Sequence, residues 1–108
     1  MSLNAQAEYD AVVSEMVATS PTSSGKMFGM PCLKNSNGKA FAGYFEGEMV
    51  FKLGGTSHAE ALALSGARLF DPMGGRPMKE WVIVPVEHNS RWLEFARDAF
   101  DYVAEKGK

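Results

Sequence analysis

Cys32, His58 and His88 are the side chains of this sequence best suited to bind a soft metal ion or attack an electrophile. A zinc-type site needs sulfur and imidazole ligands at short, recurring spacings. Neither a Cys-x-x-Cys nor a His-Glu-x-x-His pattern occurs, so no metal site and no cofactor are expected. Cys32 would have to become a thiolate to act as a nucleophile, which takes a neighbouring base or a helix N-terminus. It stands in Met30-Pro31-Cys32-Leu33, where a buried, inert thiol is the ordinary outcome. The nucleophile-elbow pattern Gly-x-Ser-x-Gly is also missing. No catalytic residue is therefore assigned.

Two segments invite comparison with anion-binding loops. Gly25-Lys26 resembles the end of a P-loop, but Ser20 stands where the first glycine belongs and Met27 where a Ser or Thr belongs. Lys52-Leu53-Gly54-Gly55-Thr56-Ser57 fits better. A strand, two glycines and a helix start would present free N–H groups and the positive end of a helix dipole. Ser57-His58-Ala59-Glu60 also has the form of a capping box, in which Ser57 and Glu60 would occupy those same N–H groups. The carboxylates form no acid–base pair. Glu46 and Glu48 flank a turn, and Glu94, Asp98, Asp101 and Glu105 interleave with Arg91 and Arg97 as on a solvated helix face. Lys52, Arg68, Arg76 and Lys79, with Trp81 and Tyr44 nearby in the pattern, could form a basic patch with stacking surfaces. The candidate anion- or partner-binding residues are thus Lys52, Gly54, Gly55, Arg68, Arg76, Lys79 and Trp81.

The elements that must position these groups follow from periodicity. Tyr9, Val12, Val13, Met16 and Val17 mark one face of a helix with Asn4 as its N-cap. A polar loop from Thr19 to Gly25 follows. Lys26 to Leu33 reads as one irregular strand, placed at an edge or bulged by Gly29 and Pro31. Asn35-Ser36-Asn37-Gly38 turns the chain into a strand from Lys39 to Phe45, and Glu46-Gly47 turns it into another from Glu48 to Leu53. A short helix then runs from the capping box to about Ser65, stopped by Gly66. Arg68-Leu69-Phe70 and Met78 to Val84 are strands, separated by a turn around Gly74-Gly75. Asn89 or Ser90 caps a last helix with the stripe Trp92, Phe95, Ala96, Ala99, Tyr102 and Val103, ended by Gly107. The expected architecture is α+β, in the order α-β-β-β-α-β-β-α, with one antiparallel sheet packed by helices.

The length of 108 residues suits one domain, 1–108, able to close a core without staples. A single cysteine fits a reducing cytoplasm, and neither a signal-peptide pattern nor a membrane span is read, so no membrane partner is expected. The net charge of −2 gives no overall attraction to nucleic acid. Residues 1–25 carry three acids and no bases, residues 26–79 seven bases and four acids, and residues 80–108 six acids and four bases. In Ala40–Phe45 and in Met78–Val84 both strand faces are apolar or small. A sheet with one wet face should alternate more cleanly. A second copy of the chain is the simplest cover for the far face, which makes a homodimer the expected state.

The motifs along the chain resemble one known pattern. Lys26-Met27-Phe28-Gly29 opens it, a Gly-rich hairpin and Phe51-Lys52-Leu53 follow, then Ala67-Arg68-Leu69-Phe70, then Gly75-Arg76-Pro77-Met78-Lys79-Glu80-Trp81-Val82-Ile83-Val84-Pro85. A Met-Phe-Gly start, a Leu–Lys strand and a Met-x-x-Trp strand ending in Pro are similar to the N-terminal domain of the TfoX (Sxy) family, over nearly the whole chain. The resemblance implies an antiparallel α+β fold like that of type III secretion chaperones. It implies a role in bacterial regulation, best known in competence development, and no catalytic residue or cofactor. The function expected is a non-enzymatic regulatory or protein-interaction module with a protein partner still to be identified. The alternatives are nucleic-acid or nucleotide binding through Lys52, Arg68, Arg76 and Lys79, and a small enzyme with an anion site at Gly54-Gly55.

Overall fold

The computed structural model describes residues 4–27, 30–36, 38–71, 75 and 78–106. Arg76, Gly29, Asn37, Gly74 and Gly107, each named above, lie outside the described residues. The chain forms helix α1 (Ala5–Thr19), strands β1 (Ser23–Met27), β2 (Met30–Lys34), β3 (Ala40–Phe45) and β4 (Glu48–Lys52), and helix α2 (Gly55–Ala63). Strands β5 (Arg68–Phe70) and β6 (Met78–Val84), a 3-10 segment (Val86–Arg91) and helix α3 (Trp92–Lys106) complete it. The six strands form one antiparallel sheet in the order β1-β2-β3-β4-β6-β5.

The α+β architecture is as expected, with one more strand. The stretch read as one strand from Lys26 is split between β1 and β2, which pair with Met27 opposite Met30. The last three residues of the polar loop expected after α1 belong to β1. Ser23, Ser24 and Gly25 have poor strand propensity. They are held extended by an unbroken ladder to β2, which a propensity reading cannot see. Pro31 sits in an interior strand rather than at an edge. The ladder to β3 begins only at Cys32, opposite Gly43, so the position without an N–H lies beyond it. The turn at Glu46-Gly47 has both residues at positive φ (48° and 84°), the geometry that matches the twist of a two-residue hairpin.

Alternation sorts the sheet into two faces. Leu33, Ala42, Met49, Phe51, Val82 and Val84 point to the helix side. They pack against Tyr9, Val12 and Met16 of α1 and Trp92, Phe95, Ala96, Ala99 and Val103 of α3. Phe51 and Phe95 lie 5.9 Å apart, and Phe41 meets Phe100 edge-on at 5.4 Å. The buried Trp92 indole donates to the Val84 carbonyl at 3.2 Å, so α3 is tied to β6 by a polar bond inside an apolar layer. Asn4 caps α1 by accepting from the Ala7 N–H at 3.1 Å.

The far face carries a second, smaller cluster of Met30, Val50, Phe70, Trp81 and Ile83. Val50 and Phe70 are fully buried within the single chain, and Phe45 meets Phe70 edge-on at 5.1 Å. These apolar side chains therefore leave water without a second copy on that face.

Replacing Trp92 by Phe removes the indole N–H that bonds the Val84 carbonyl and leaves a small cavity where the larger ring packed. The expected loss is about 1–3 kcal/mol of unfolding free energy, read as a lower urea midpoint with an unchanged far-UV spectrum.

Candidate functional site

Five of the sequence-selected residues meet at one end of the sheet. Lys52, the last residue of β4, lies opposite Trp81 of β6. The chain stays on β6 past the strand end, because the Leu53 N–H donates to the Glu80 carbonyl at 2.8 Å. Gly54 and Gly55 then lead into α2. His58 Nε2 lies 2.7 Å from the Lys79 carbonyl oxygen, which fastens α2 to the start of β6.

The two glycines have different causes. Gly54 has ordinary extended backbone, but a Cβ there would lie 2.3 Å from Cε1 of Tyr102. The ring of Tyr102 takes that space, and its hydroxyl bonds the Glu80 carboxylate. Gly55 has φ near +60° and open space around it, so conformation selects it. Packing and turn geometry account for both without an anion.

The capping box does not form. Helix α2 starts at Gly55 with Gly54 as its N-cap, which puts Ser57 inside the first turn. Its hydroxyl donates to Asp98 Oδ2 of α3 at 2.9 Å. Glu60, expected to reach back, instead meets Arg91 at 3.1 Å. Asp98 therefore stands at the first turn of α2, where its carboxylate opposes an incoming anion.

Arg68 is not part of this group. It lies opposite Ile83 and binds Glu48, at the far end of β4 from Lys52, about 13 Å away along the strand. Its guanidinium holds its proton more tightly than usual, chiefly through the hydrogen bond to Glu48 at 2.7 Å, and it also donates to the Gly66 carbonyl at 3.1 Å. Glu48, which flanks the turn at Glu46-Gly47, is the partner in that pair. Lys52 and Lys79 make no ion pair among the described residues. Trp81 is only 6 % exposed, which leaves little ring surface for a base to stack on.

The remaining reactive groups are also engaged or enclosed. Cys32 is fully buried, and burial pushes its thiol above the usual range despite the opposing pull of Lys34. His88 Nε2 lies 2.8 Å from the Ser65 carbonyl oxygen. No group of three or more His, Cys, Asp and Glu residues arranged to hold a metal occurs among the described residues.

Two features carry no sequence signal. One is a cavity of about 270 Å³ between α1 and the entry to α3, lined by Glu8, Ala11, Val12, Glu15, Asn89 and Leu93. The other is the Tyr9 hydroxyl, which is buried without a hydrogen-bond partner. Helical periodicity puts Tyr9 in the core but says nothing about what its oxygen meets. Burial is the main cause that raises its phenol pKa, with Cys32 and Asp10 adding to it.

Two outcomes follow from these contacts. The unfolded chain releases the Tyr9 proton near pH 10, while the folded chain holds it to higher pH. The associated stability is complete below the unfolded value and is lost as pH rises through it toward the folded value. Tyr9→Phe should flatten the alkaline fall in stability by up to about 1.4 kcal/mol per pH unit, and cost little at neutral pH because an unpaired hydroxyl is removed. Gly54→Ala should destabilise by about 1–3 kcal/mol through overpacking. In a Tyr102→Ala background the same change should cost almost nothing, a coupling that a double-mutant denaturation cycle measures.

Comparison of the chain with protein-family models, with curated proteins and with solved structures finds no match.

Proposed function

We propose that the chain is a non-enzymatic regulatory module that works by contact with other proteins, of the kind its resemblance to the TfoX N-terminal domain implies. The observation that carries this reading is the use made of its polar side chains. His58 and His88 each lie against a backbone carbonyl oxygen, and Ser57 bonds Asp98. Arg68 and Arg91 are held in ion pairs, and the one thiol is enclosed. Groups that could do chemistry join secondary-structure elements instead, which leaves the surface of the fold as the functional asset.

The reading is tested by deleting the gene in its own host and comparing transcripts. A defined set of transcripts should change and be restored by the intact chain. His58→Gln and His88→Gln variants that remain folded should restore it equally well. An unchanged profile removes the regulatory role, and failure of either folded variant removes the non-enzymatic one.

Nucleic-acid binding is the second reading, favoured by Lys52 and Lys79, which have no acidic partner among the described residues. Labelled DNA of mixed sequence should then gain anisotropy at low salt, lose it as salt rises, and lose it in Lys52→Glu/Lys79→Glu. No signal at low salt ends that reading.

A further inference from the structure

The two edges of the sheet are built differently. An open edge offers unpaired N–H and C=O groups to any extended chain, and folded proteins guard such edges with short strands, irregularities and charge. The β5 edge is guarded. It is three residues long, its register breaks between Leu69 and Phe70, and it opens on Arg68. The β1 edge is not. It is five residues long and keeps unbroken register with β2 from Ser23 to Met27. Ser23, Ser24 and Lys26 are exposed, and no backbone hydrogen bond among the described residues reaches the outer side of β1. The small side chains at Ser23, Ser24 and Gly25 let another backbone approach.

Charge decides what can pair there. The β1–β2 hairpin carries Lys26 and Lys34 and no acid in either strand. The Lys34 side chain folds back across β1. Its Cε lies 3.0 Å and its Nζ 3.3 Å from where a Cβ of Gly25 would stand. One lysine thus lies over Gly25 and another sits beside it in the strand. Two copies paired edge to edge about Gly25 would set these cations against their own symmetry mates. Like charges across adjacent strands are unfavourable and opposite charges favourable.

We propose that the outer edge of β1 is a strand-addition site for an extended acidic segment of a partner protein. This rests on the reading of the chain as a protein-contact module and names the surface and the chemistry of the contact. The added strand gains affinity from main-chain hydrogen bonds along Ser23–Met27. Selection comes from carboxylates placed beside Lys26 and Lys34.

The test titrates isotope-labelled protein at low salt with a short synthetic peptide of Glu-Glu-Val repeats, because Lys26 and Lys34 lie on opposite faces of the hairpin and carboxylates must reach both. Two controls are its Lys–Val counterpart and the acidic peptide with N-methylated backbone. Amide shifts should concentrate in residues 23–27, with new hydrogen-exchange protection there. The Lys–Val peptide should give none, and the N-methylated peptide should lose the protection. Lys26→Glu/Lys34→Glu should weaken the acidic peptide about tenfold and admit the basic one. Three results overturn the proposal: no shifts at millimolar peptide, equal binding of the N-methylated peptide, or a dimer in sedimentation whose β1 amides are already protected. The first two leave the transcript test of the regulatory reading untouched, so the two can fail separately.

Discussion

The structure depends on burying one face of α3. Trp92, Phe95, Ala96, Ala99 and Val103 enter the layer between that helix and the sheet, and the other elements are placed by reference to it. Helix α1 reaches α3 through the shared core and through Glu15, whose carboxylate meets Arg97 at 3.4 Å. Helix α2 reaches it through Ser57 and Asp98 at its first turn, and reaches the 3-10 segment before it through Glu60 and Arg91. The loop that enters α2 reaches it through Gly54 and the Tyr102 ring. Exposed ion pairs such as Glu15–Arg97 add little to stability, typically below about 1 kcal/mol. Their effect is to fix orientation once apolar burial has brought the helices together.

That arrangement gives the polar side chains of α2 a part in holding the elements together. Ser57, His58 and Glu60 sit on a helix of nine residues, too short to be stable alone. Each supplies an anchor: Ser57 to α3, His58 to the start of β6, Glu60 to the 3-10 segment before α3. The same economy applies to the basic residues. Arg68 closes the short β5 strand onto Glu48 and onto the Gly66 carbonyl, so its charge is spent within the fold.

The legible parts of the sequence were those with strong periodicity or obligatory backbone chemistry. The stripe on α3 has a single solution at 3.6 residues per turn, and the Glu46-Gly47 turn follows from two residues that tolerate positive φ. Strand β1 was not legible, because Ser-Ser-Gly-Lys has neither alternation nor β-propensity and is extended only through pairing with β2. The capping box failed because α2 starts at Gly55, a boundary shift that moves Ser57 from cap to first turn. The structure brings together only part of the candidate patch. Lys52, Gly54, Gly55, Lys79 and Trp81 do converge, since they flank the β4–β6 ladder, but Arg68 belongs to the opposite end of the same strands. A sequence pattern places residues on strands and does not say at which end of a ladder each one lies.

The charge partition along the chain acquires a spatial meaning from this topology. Both acidic ends of the sequence are helices, and both helices lie on one face of the sheet, with Glu8, Asp10, Glu15, Glu94, Asp98 and Asp101 on that side. The basic middle is the sheet itself. By alternation with Val50, Trp81 and Ile83, Lys52 and Lys79 point away from the helices, and Lys34 leans over Gly25. A net charge of −2 therefore conceals a molecule with an acidic helix side and a basic sheet side. Such a field acts within a Debye length, about 10 Å at 0.1 M salt, so it orients a partner only in the final approach. The same field would favour the acidic strand proposed for the β1 edge over a basic one.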